Sequence, residues 1–77
     1  MKDKSRINLT PETKREMTAA IKDFFLNERD EEMGDLAANM LLNFITDRLG
    51  PEYYNQGVAD AQKFISEKAD DLYALMI

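Results

Sequence analysis

The residues able to do chemistry are few, because the chain has no Cys and no His. That removes thiolate nucleophiles, imidazole bases, iron–sulfur clusters and haem held by either residue. Proton transfer would fall to Asp, Glu, Tyr and Lys. Asp47, Tyr54 and Asp60 stand near one another in sequence, with Asn43 and Asn55 beside them as hydrogen-bond donors for a developing charge. Three short helices, however, rarely enclose the roughly 300 Å³ or more that a small-molecule site needs. The acidic run Glu28-Arg29-Asp30-Glu31-Glu32 has the oxygens to hold a cation. Carboxylates at a helix start serve the dipole equally well, and Asp30 is the expected cap of the following helix. Di-metal carboxylate bundles use Glu-x-x-His pairs, which this chain cannot supply. The expectation is therefore a protein that is not an enzyme, with no catalytic residue, no metal and no cofactor.

The elements that would position these groups are helical. Both prolines sit at helix starts. In Thr10-Pro11-Glu12, Thr10 can cap, Pro11 suits the first position and Glu12 meets the positive end of the dipole. Met17, Ala20, Ile21, Phe24 and Phe25 then recur at helical spacing, so a first helix is expected over 11–28. A second, over 31–49, is apolar over most of its circumference, with Met33, Leu36, Ala37, Met40, Leu41, Phe44 and Ile45 on one side and Ala38, Leu42 and Leu49 beside it. Such a helix touches neighbours on more than one face. Its polar stripe, Asp35, Asn39, Asn43 and Asp47, reads as a water-facing ridge.

Gly50 can take the left-handed conformation that ends a helix, and Pro51 would open the next. A third helix is expected over 51–76, with Tyr54, Gly57, Val58, Ala61, Phe64, Ile65, Leu72, Leu75 and Met76 on its apolar face. Gly57 within a helix costs about 1 kcal/mol against Ala, and close approach to Gly34, Ala37 and Ala38 would account for it. Gly50, Pro51, Tyr54, Asn55, Gln56, Gly57 and Asp60 are singled out as the residues that lock this short turn and orient the helices. Gln56 and Asp60, four apart, can bond along the helix surface. The expected fold is all-α, a small three-helix up-and-down bundle whose third helix is longest. Residues 1–8 are expected to form a disordered arm and 9–77 a single helical domain.

The stretch Gly50-Pro51-Glu52-Tyr53-Tyr54-Asn55-Gln56-Gly57-Val58-Ala59-Asp60-Ala61-Gln62 resembles the GPxxYNQGVxDA signature of a short bacterial family classed as a domain of unknown function. The likeness extends over nearly the whole chain, through Met33-Gly34-Asp35-Leu36-Ala37-Ala38 and Leu41-Leu42-Asn43-Phe44 to Asp70-Asp71-Leu72. Met33 and Tyr53 depart from the aliphatic residues expected there. The resemblance implies a small helical fold and carries no activity.

Charge narrows the partners. Residues 1–22 carry +3 and residues 23–77 carry −8, for a net −5. An acidic body repels phosphate backbones, so nucleic acid is disfavoured. An accessory role on nucleic acid would rest on Lys2, Lys4, Arg6, Lys14 and Arg15. No apolar run approaches the ~18 residues of a membrane span, no signal peptide opens the chain, and a cytoplasmic location is expected.

Size supplies the last expectation. A compact monomer of 8.9 kDa exposes roughly 4,800 Å² and is marginally stable without disulfide or zinc. An unbroken third helix would also overhang the other two and leave Leu72, Tyr73, Leu75 and Met76 in water. Either it folds back near Asp70-Asp71 or another molecule covers it. The favoured reading is non-catalytic association as a homodimer, with Met33, Met40, Leu72, Tyr73, Leu75 and Met76 at the interface. Another protein's helix is the second candidate occupant.

Overall fold

The computed structural model describes residues 7–76. The first helix, α1 (Pro11–Arg29), starts as its sequence dictates. The Thr10 hydroxyl oxygen accepts from the Thr13 amide at 3.1 Å, and Pro11 occupies the first turn, where an amide would have had no partner. Its end differs from expectation. Asp30 is not the cap of the next helix but the residue that closes α1, in the left-handed region at φ 54°. Asp tolerates that region better than most side chains. The amides of Asp30 and Glu31 both turn back to the Phe25 carbonyl, and the Arg29 guanidinium reaches Glu31 at 3.3 Å. Glu28 and Arg29 thus end α1, and Asp30, Glu31 and Glu32 lie in the connection between helices.

The second helix, α2 (Asp35–Phe44), is capped by Gly34 and leads into a wide turn (Ile45–Leu49), then α3 (Gly50–Asp71) and a tighter final turn (Leu72–Leu75). The expected break at Gly50-Pro51 is absent. Gly50 is right-handed helical at φ −54°, ψ −42°, and 35–75 is one continuous rod of 41 residues. The three-helix bundle is therefore corrected to two helices, a hairpin whose second arm runs on far beyond the first. All-α composition holds among the described residues.

The physical reason lies in the wide turn. In a regular helix the Pro51 ring would collide with the carbonyl four residues back. Here the turn before it takes an extra residue, with the Gly50 amide bonding back five residues to Ile45, the widening by which a helix accommodates a proline. A residue before proline is also pushed out of the helical region, partly by the clash of its Cβ with the ring. Gly50 has no Cβ, so that part of the clash vanishes. Its smallness serves packing as well, since a Cβ there would stand 3.1 Å from Ile7 Cδ1. Gly-Pro, read from the sequence as a stop, is the pair that lets proline remain inside the helix.

The hairpin holds what core there is. Among the described residues only Ala38 (0% exposed) and Leu42 (2%) are buried. Met17, Ile21 and Phe25 of α1 are half-buried, as are Ile7, Leu9, Met33, Leu41 and Ile45. Of the arm set at 1–8, residues 1–6 lie outside the described residues. Past Gly50 no other helix among the described residues lies beside the rod. The chain extends 65 Å with a radius of gyration of 18.8 Å, where a compact chain of this length would measure about 11–12 Å.

Lys22 of α1 and Asp35 at the start of α2 form an ion pair that ties the hairpin near its closed end. The hydrogen bond from Lys22, and after it the ammonium charge, hold the Asp35 carboxyl below its ordinary 3.8. A carboxylate whose pKa falls on folding stabilises the fold above its unfolded pKa and loses that contribution as pH falls through the folded one. Asp35 is 85% exposed, so solvent screens the pair and the effect is small. An NMR titration is expected to place the Asp35 midpoint below 3.8, with Lys22→Ala returning it; a midpoint at or above 3.8 would contradict the pairing.

Candidate association surface

From Pro51 to Met76 every residue of the rod is exposed, yet the sequence there is strongly amphipathic. At 100° per residue, Tyr54, Gly57, Val58, Ala61, Phe64, Ile65, Leu72, Leu75 and Met76 fall within about 60° of the Ala61 direction. Within that arc Val58 is 54% exposed, Ile65 65% and Leu75 76%. Lys68 is the one charged residue of the arc, and its Nζ lies 5.4 Å from the Phe64 ring centroid. The opposite side carries Glu52, Gln56, Lys63 and Asp70. The face runs nearly 40 Å at 1.5 Å per residue.

The residues singled out by sequence lie along this rod rather than around a turn. Gln56 Nε2 donates to Asp60 Oδ1 at 2.9 Å, the surface bond expected from their spacing. Gln62 Nε2 donates to Ser66 Oγ at 2.9 Å within the same helix. Gly50 and Pro51 sit inside the rod, and Tyr54, Asn55, Gln56 and Asp60 are exposed on it, so they lock no turn. Nothing lies within 4 Å of a Cβ built on Gly57 or Gly34; the expected approach of these small residues does not occur within the chain. Ala38, buried in the hairpin, is the small residue that lets helices come close.

A groove at the end of the rod is lined by Ala69, Asp70, Leu72, Tyr73 and Met76; Asp47, Tyr54 and Asp60 take no part in it. Among the described residues no three carboxylates converge as metal ligands. Of the five basic residues on which a nucleic-acid role would rest, Lys2, Lys4 and Arg6 lie outside the described residues, while Lys14 and Arg15 are exposed on α1. No described helix is long and apolar enough to cross a membrane. Of the expected interface, Met33 is half-buried in the hairpin, while Met40, Leu72, Tyr73, Leu75 and Met76 are exposed. Sequence reasoning missed that Leu36 and Phe44, 75% and 50% exposed, form a bare patch with Met40 on α2. The all-round apolar pattern of α2 was the available signal, since α1 covers one of its faces and the rod supplies no helix for the other.

A family model described as an uncharacterized conserved protein, DUF2164, matches residues 7–77. No curated protein and no solved structure matches the chain.

Proposed function

The chain belongs to the DUF2164 family, and from that premise we propose that it works without catalysing a reaction, by binding a second copy of itself through the bare face of α3. The observation that carries this reading is the continuous apolar arc on a helix with no neighbouring helix among the described residues. Soluble monomers rarely leave so much contiguous apolar surface in water. The chain exposes 6722 Å², about 1,900 Å² more than the roughly 4,800 Å² of a compact chain this size.

The segment 50–62 is read as the family's signature, lying where the rod leaves the hairpin. A bacterial source and a cytoplasmic setting accompany this reading, the latter supported by the lack of Cys. Sedimentation equilibrium of the full chain at micromolar concentration is the test. A mass of twice 8.9 kDa is expected; a mass of 8.9 kDa would reject self-association and leave the face for another protein's helix.

A further inference from the structure

The bare face has a seven-residue repeat. Val58, Ile65 and Leu72 recur at one position, and Tyr54, Ala61, Lys68 and Leu75 at the other, the pattern by which helices pair side by side. Resting on the reading that a second copy covers this face, we propose that the copy lies antiparallel, the two chains overlapping from Gly50 to Met76 about a two-fold axis on the apolar side at the level of residue 63.

Charge is the first reason. Parallel pairing about a two-fold axis sets each seam residue against itself, so Lys68 would meet Lys68 inside an apolar seam. Antiparallel pairing carries each Lys68 to the level of Val58 in the other copy, so the two ammonium groups stand about 15 Å apart along the seam, and each ammonium stays beside its own Phe64 ring. Side-chain size is the second. Antiparallel overlap places Tyr54 opposite Leu72 and Ala61 opposite Ile65, large against small near the centre, whereas parallel pairing stacks Ala61 on Ala61 and leaves a gap. Length is the third. The α1–α2 hairpin reaches the rod's Gly50, where Ile7 abuts it, and the rod is bare from there to Met76. An antiparallel copy covers that whole length and ends before either hairpin begins.

The absence of Cys makes the test direct. Full-length chains carrying Tyr54→Cys and Leu72→Cys are mixed in equal amounts and oxidised. A disulfide between position 54 of one copy and position 72 of the other is expected as the dominant product. Leu72→Cys alone is expected to give little crosslinked dimer, because its two copies would stand about 27 Å apart. Asn55→Cys with Ala69→Cys, on the flank of the seam, repeats the test without removing a seam side chain. Efficient self-crosslinking of Leu72→Cys would overturn the antiparallel arrangement while leaving the dimer standing. A monomeric mass for the unoxidised flank variants and for the unsubstituted chain would overturn both.

Discussion

Ile65→Glu is expected to separate the two copies. Ile65 lies in the middle of the bare face and is 65% exposed in the single chain, so a Glu there strains nothing within it, and Glu is a good helix former. In the dimer the same carboxylate would sit unpaired in an apolar seam, once per copy. Stranding a charge in that way costs about 3–5 kcal/mol, equivalent to a dissociation constant raised at least about a hundredfold. Sedimentation should fall from twice 8.9 kDa to 8.9 kDa at micromolar concentration, while the circular dichroism of the dilute chain keeps its helical signal. Lys63→Glu, on the far side of the rod, should leave the mass unchanged. If Ile65→Glu sedimented as the parent does, the seam would have to lie elsewhere.

Leu42→Ala should cost the hairpin much of its stability. Leu42 is 2% exposed and is the larger of the two buried side chains among the described residues. Truncating a buried Leu costs about 2–5 kcal/mol, through lost transfer energy and the cavity left behind. A chain of 77 residues commands only about 4–12 kcal/mol in total. At about 4–8 °C per kcal/mol, the melting temperature should drop by roughly 10 °C or more. Leu36→Ala, at a position 75% exposed on the same helix, should change stability by about 0.5 kcal/mol or less. Because association raises apparent stability with concentration, these melts belong at equal protein concentration. A larger loss at Leu36 than at Leu42 would place the core on the other face of α2.

Local signals suffice where one physical cause acts alone. Thr10-Pro11 opens α1 because a hydroxyl acceptor and a missing amide suit a helix start whatever packs nearby. The Gln56–Asp60 bond follows from helical spacing alone. Asp30 shows the opposite case. A carboxylate suits a helix start, and an Asp also tolerates the left-handed turn that ends one, so its type could not say which helix it served. Gly57 was assigned a contact because a mid-helix glycine carries a cost, but the contact required a third helix folded back, and the rod does not fold back.

By itself the sequence determined that this protein is helical, where α1 begins, which residues share the apolar arc of α3, and that no Cys or His chemistry is available. Those properties depend on residue type and on a 100° turn per residue, both local. Only the tertiary structure decided that Gly50-Pro51 lies inside a helix. The pair suits a break and a wide turn alike; the wide turn is seen in the Gly50 amide bonding back to Ile45, and the contact that sequence-local reasoning cannot supply is Ile7 beside Gly50. That choice turned an expected compact bundle into a hairpin with a 65 Å extent. It also left the apolar face of α3 to be covered from outside the chain.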